Sequence, residues 1–272
     1  MYNTKSKELV LKQIWHRIKP FLNFRSTLLL SSVSVTILTG PRVEAQEAKE
    51  IITKADAKSR GQYLEQEMRM TITRPEWERT LTMKTWSKGN EYSIVLITAP
   101  AKEKGQVFLK REKEMWSWVP SIERLIKISP SMMMQSWMGS DFTNDDLVKE
   151  SSIINDYTHS LLGNDELDGT SCWKIQLIPK PDAPVVWGKV ISWVDKNYNQ
   201  RKIEYYDEEG ALKNTMYLSD IKRMKDREIP TRMEMVPAGE KNKNTVVEVL
   251  SAVYDKPIPD SQFSIQNMKI IR

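Results

Sequence analysis

Residues 64–86 read LEQEMRMTITRPEWERTLTMKTW, and the apolar positions in this stretch recur every second residue. Leu64, Met68, Met70 and Ile72 fall on one face of an extended chain, with Glu65, Glu67, Arg69, Thr71 and Thr73 on the other. Arg74-Pro75-Glu76 breaks the run. Leu81 and Met83 then resume it against Arg79, Thr80, Thr82 and Lys84. This is the pattern of half-buried antiparallel strands.

The same reading extends outward. Residues 87–90, Ser-Lys-Gly-Asn, form a hairpin-type turn, and Tyr92–Thr98 is apolar on both sides, as a central strand is. Short strands follow at 107–110 and 115–119, and residues 122–128 alternate. Further strand signals run over 153–160, 161–167, 172–178, 187–194, 201–207, 212–224, 231–235 and 245–254, and a final short strand is expected at the C-terminus. Turn signals recur about every 8–12 residues without βα alternation, so the expectation is a mainly β (α+β) chain of roughly eleven strands. One antiparallel sheet of that width should curl into a barrel or partial barrel.

Two helices are expected to cover the open side of this sheet. The first is 46–60, rich in helix formers and stopped by Gly61. The second lies within 130–147 and begins with a short segment that has Ser129 as N-cap, Pro130 in the first position and Gly139 just past its end. Met132, Met133, Met134, Trp137 and Met138 would spread round most of its circumference, leaving no solvent face. Thr143 with Asp146 reads as a capping box for one further turn.

Composition narrows the function. Lys5, Lys7, Lys12, Arg17, Lys19 and Arg25 precede an uncharged apolar run over 27–39, and Val43-Glu44-Ala45 offers small residues at −3 and −1. Residues 1–45 are read as a signal peptide cleaved after Ala45, and 46–272 as a single domain exported to the periplasm. An anchor is the competing reading, but thirteen residues span only about 20 Å as a helix. The whole chain carries 41 Lys+Arg against 36 Asp+Glu, yet beyond residue 45 there are 34 of each. The basic pI therefore belongs to the leader and gives no support for nucleic-acid binding.

Little of the chemistry needed for catalysis is present. His159 is the one histidine beyond the leader, and Cys172 is the chain's single cysteine, read as a buried thiol. No nucleophile elbow or phosphate-binding glycine loop occurs. Asp141, Asp145 and Asp146 lack EF-hand spacing and are read as solvated acids at a helix start. The expectation is a protein that is not an enzyme and needs no cofactor or metal. Its informative feature is methionine and tryptophan. Trp77, Trp173 and Met216 are assigned to ordinary core. Over 132–138, core and a surface adapting to apolar ligands are equally open readings.

Residues 100–109 (PAKEKGQVFL), 115–120 (MWSWVP), Arg124 and 137–147 (WMGSDFTNDDL) resemble the LolA-like family of outer-membrane lipoprotein-sorting proteins. Residues 167–180 (LDGTSCWKIQLIPK) and 193–195 (WVD) fit the same pattern. Gly139, Ser140, Asp141 and Phe142 are the most specific part of the resemblance. It implies a LolA/LolB-like curved open sheet whose concave face holds acyl chains under helical lids. Met132, Met133, Met134, Trp137, Met138 and Phe142 are the lid candidates, and Met68, Met70, Leu81, Met83, Trp116 and Trp118 the cavity candidates. Arg79 and Arg124 are candidates for a lid-locking arginine. The implied partners are lipoprotein acyl chains or phospholipid and an inner-membrane transporter complex. A non-catalytic lipid-sensing module for an envelope transporter or signalling membrane protein is the alternative.

Overall fold

The computed structural model describes residues 41–272 apart from 113, 145, 147–152, 182 and 184. The basic stretch and apolar run of the expected leader lie outside the described residues. The expected cleavage position after Ala45 falls in the early turns of the helix α1 (Pro41–Arg60), which is longer than the 46–60 read from sequence. Gly61 ends it at φ +66°, and its N–H bonds back to the Ala57 carbonyl.

Among the described residues thirteen strands make one antiparallel sheet. The first meander is β1 (Tyr63–Arg74), β2 (Trp77–Lys88), β3 (Tyr92–Ala99), β4 (Val107–Arg111), β5 (Glu114–Val119) and β6 (Arg124–Ile128). The second is β7 (Tyr157–Leu167), β8 (Thr170–Pro179), β9 (Lys189–Asp195), β10 (Gln200–Tyr206), β11 (Leu212–Met224), β12 (Arg227–Pro237) and β13 (Asn244–Tyr254). The meanders join where β1 pairs with β13, so β6 and β7 are the two edges. Arg74 pairs with Trp77, which makes the expected break a two-residue hairpin turn at Pro75-Glu76. The segments read as strands 153–160 and 161–167 are largely one strand, β7, whose register shifts at Gly163. Residues Asp260–Phe263, a turn by sequence, form a 3-10 turn, and the expected final strand after it is instead a second 3-10 turn, Asn267–Lys269.

The sheet curls. Val95 on β3 and Val190 on β9 lie seven strand spacings apart, about 34 Å if the sheet were flat. Both line the same cavity.

Alternation then decides what packs on which face. On the inner face α1 lays Ala48, Ile51, Ile52 and Ala55 against Tyr157, Ile175, Leu177, Val190 and Ile203. Burying each such aliphatic side chain stabilises the fold by about 1.5–3 kcal/mol. On the other half of that face, Met133 and Trp137 pack on Met70, Ile72, Leu81, Met83, Ile97 and Phe108. On the outer face Phe263 and Met268 cover Ile94, Leu96, Val107 and Leu109, with Trp116 and Trp118 packed beside them.

Two expectations change here. Residues 130–139 are not an α-helix but two 3-10 turns, Pro130–Met132 and Trp137–Gly139. A helix of so few residues is marginal, and one with apolar side chains all round could not bury them against one sheet. The irregular path buries Met133 and Trp137 and turns Met134 outward at 53% exposure. Trp116 and Trp118 are not on the cavity face either: Met115 of the same strand points inward, so its neighbours must point out.

Candidate functional site

Residues 132–144 fold back on themselves. Ser136 and Thr143 form an antiparallel bridge, the Trp137 N–H donates to the Phe142 carbonyl at 2.7 Å, and the Asn144 N–H donates to Gln135 at 3.0 Å. Asn144 Nδ2 also donates to the Met132 carbonyl at 2.9 Å. Met138 and Gly139, at φ +52° and +76°, make the reversal. Ser140 Oγ steadies it, donating to the Trp137 carbonyl at 2.7 Å and accepting from the Phe142 N–H at 3.2 Å. Thr143 and Asp146 bond reciprocally, Thr143 N–H to Asp146 Oδ2 at 2.7 Å and Asp146 N–H to Thr143 Oγ1 at 3.1 Å. That is a capping-box geometry.

Two arginines of the β1–β2 hairpin tie this loop to the sheet. Arg74 donates to Asp141 Oδ2 at 3.1 Å and to the Gly139 carbonyl at 2.8 Å. Asp141, with its side chain 3% exposed, also accepts from Thr245 Oγ1 at 2.7 Å. Arg79 donates to the Met138 carbonyl and pairs with Glu103 at 3.7 Å. Of the two arginines singled out from sequence, Arg79 reaches the loop, while Arg124 is exposed on the edge strand β6. Arg74, read only as part of a break, makes the larger set of bonds. No sequence signal separated it from a turn residue, because its partner lies 67 positions away.

Between this loop and α1 lies a cavity of two adjoining lobes, about 260 Å³ and 230 Å³. The first is walled by Met68, Met70, Met83, Met216, Met233 and Met235, with Trp137 and Phe142 contributed by the loop. Of the cavity candidates, Met68, Met70 and Met83 stand on this wall, and Leu81 is fully buried beneath it. Of the lid candidates, Met132, Met138 and Phe142 pack partly buried against the same cluster, and Met134 faces away. Met216, assigned from sequence to core, lines the cavity. Met233 and Met235 went unremarked as cavity residues although their alternation on β12 was legible. The Phe108 and Trp137 rings meet edge to face at 5.2 Å, and Trp137 Nε1 is buried with no protein partner.

Asp56, Arg60 and Asp146 line the first lobe, and Lys58, Arg60, Lys110 and Tyr254 the second. Burial pushes the Tyr254 phenol up to about 12. Burial also holds the His159 imidazole below its usual range, while its Nε2 lies 2.9 Å from the Ile153 carbonyl. Burial raises the Cys172 thiol, which suits a packed side chain rather than a nucleophile. Among the described residues no cluster of three His, Cys, Asp or Glu could hold a metal ion.

Residues 89–270 match the model of a family described as uncharacterized protein-like. No curated protein matches the chain. Among solved structures, it is similar to a LolA superfamily protein from Nitrosomonas europaea, with 27% identity, a TM-score of 0.70, and coverage of 81% of this chain and 98% of that one. A protein from Vibrio parahaemolyticus described as an outer membrane lipoprotein-sorting protein domain shares 23% identity at TM-score 0.74, over 83% and 99% of the two chains. A DUF1329 family protein from Desulfovibrio piger shares 22% at TM-score 0.76, again over 83% and 99%.

Proposed function

The chain belongs to the family that its residues 89–270 match, and it is structurally similar to LolA superfamily outer membrane lipoprotein-sorting domains; from that premise we propose a non-catalytic carrier that holds acyl chains of lipoproteins or lipids. It works in the periplasm, after loss of residues 1–45, in outer-membrane sorting or transport. The observation that carries this reading is the methionine-walled cavity under the 132–144 loop. Unbranched, polarisable side chains adapt to flexible apolar cargo. An acyl chain left in water costs about 0.8 kcal/mol per CH₂, so a carrier between membranes needs such a container. The loop acts as the cover, and Arg74 and Arg79 latch it to the sheet.

The test is native mass spectrometry of the protein purified from its own envelope, followed by acyl-chain binding to the delipidated form. Co-purified lipid or lipoprotein is expected. Met216→Glu, which places a charge on the cavity wall, should abolish binding with the far-UV circular dichroism unchanged. A protein that arrives empty and takes up no acyl chain would overturn the proposal.

A further inference from the structure

The inner face changes character along its strands. On β1 the inward side chains are Leu64, Gln66, Met68, Met70 and Ile72, so a single amide interrupts an apolar row. Strand pairing carries the interruption across the sheet. Met68 stands opposite Met83, and Met83 opposite Ile97, all apolar. Two residues along, Gln66 stands opposite Thr85, and two beyond that Ser87 pairs with Ser93. Thr85, Ser87 and Ser93 line the second lobe, whereas the sheet wall of the first is chiefly methionine.

Gln66 lies at the step between these zones. It lines both lobes, and so does Gln200 on β10, four strands away round the curl. Gln66 is half-buried, and among the described residues its amide has no hydrogen-bond partner. Gln200 is also half-buried and makes one long contact, Nε2 to Ser192 Oγ at 3.5 Å. The cations nearby are already matched. Arg60 pairs with Asp56 at 2.9 Å, Lys58 donates to the Asn197 carbonyl at 2.8 Å, and Lys110 donates to the Asn90 carbonyl at 2.5 Å. What the two glutamines offer where the lobes meet is therefore neutral, an N–H to give and a carbonyl to receive.

Bare methylenes suit that position badly. A hydrocarbon sliding past a glutamine strips water from its amide and returns no hydrogen bond, a loss on the order of tenfold in affinity. A carbonyl at the same depth accepts from the amide N–H and restores it. We propose that Gln66 and Gln200 read the linkage of the bound chain: the chain lies along the methionines of the first lobe, and the ester or amide carbonyl at its root sits where the lobes meet. The inference rests on the carrier reading and adds a specificity to it, for acyl over alkyl chains.

Three probes with one chain length and one diol head test this on the delipidated protein: the ester monopalmitoylglycerol, its amide counterpart palmitoylserinol and its ether counterpart hexadecylglycerol. At least one of the two carbonyl probes should bind about tenfold more tightly than the ether, the scale of one amide left unpaired. The tighter of the two says whether an ester or an amide is the natural linkage. Gln66→Met, unbranched and in keeping with its neighbours, should bring the carbonyl probes down to the affinity of the ether, and Gln200→Met should narrow the gap. Equal affinity for all three probes overturns the linkage site and leaves the carrier standing, whereas binding of none overturns the carrier. A preference unchanged in Gln66→Met also overturns the site; should that variant not fold, an unchanged preference in Gln200→Met does the same.

Discussion

Asp141 sits almost wholly out of water, and its carboxylate is bonded by the Arg74 guanidinium and the Thr245 hydroxyl. Removing one member of a buried pair strands the other, so Asp141→Ala should cost roughly 3 kcal/mol in urea unfolding. The Arg74→Met, Asp141→Leu double variant should cost less than the two single changes added together; strict additivity would show that the pair does not couple. His159 gives a pH prediction. Its folded-state pKa is depressed by burial, with Lys49 and Lys180 adding to the effect. The unfolded chain therefore takes up the proton more readily, and stability present above the free imidazole value near 6.5 falls as pH drops below it. His159→Gln should flatten stability between pH 6.5 and 5, a window above most carboxylates, and an unchanged slope there would rule the histidine out. At this scale the sequence announced its apolar residues but not their partners. Gly139, Ser140, Asp141 and Phe142 were visible as a motif, whereas Arg74 acquires meaning only once the β1–β2 hairpin is folded.

At the scale of elements, α1 holds to the sheet through one stripe, Ala48, Ile51, Ile52 and Ala55. Ile52 is 1% exposed, and Ile52→Ala should cost about 3 kcal/mol, read by thermal or denaturant unfolding. Gly139 is at φ +76°, with the Arg79 guanidinium 3.4 Å from where a Cβ would stand. Gly139→Ala should cost about 1–2 kcal/mol and loosen the loop, read as faster amide exchange at Trp137 and Asn144. Strands were legible here because period-two alternation survives in a sheet with one face on the core. The loop was not. Ser129, Pro130 and Gly139 are true helix punctuation, but the Ser136–Thr143 bridge and the arginine bonds satisfy the backbone by another route. The Trp116 and Trp118 error had a different cause. Both faces of β3–β5 are apolar, because Phe263 and Met268 arrive from the far end of the chain, and alternation cannot say which apolar face is the inner one.

For the molecule as a whole, residues 257–272 seal the outer face over Ile94, Leu96, Val107 and Leu109. Truncation after Asp255 should expose that patch and convert the protein to aggregates on size-exclusion chromatography; a monodisperse truncated chain would mean the tail is dispensable. The mainly antiparallel β class was legible from spacing alone, whereas spacing left a closed and a partial barrel equally open. The closure of β1 on β13 was not, since nothing local pairs residues about 180 positions apart. That seam bears on how the chain comes to be folded. Every other strand contact joins sequence neighbours through a short connection, so each meander can form by itself. Until β13 is delivered, β1 is a bare edge with Met68 and Met70 uncovered beside it, the kind of strand that recruits foreign chains. The seam is expected to be the slow, entropy-limited step of refolding, and the interval before it closes is when a chaperone would matter most.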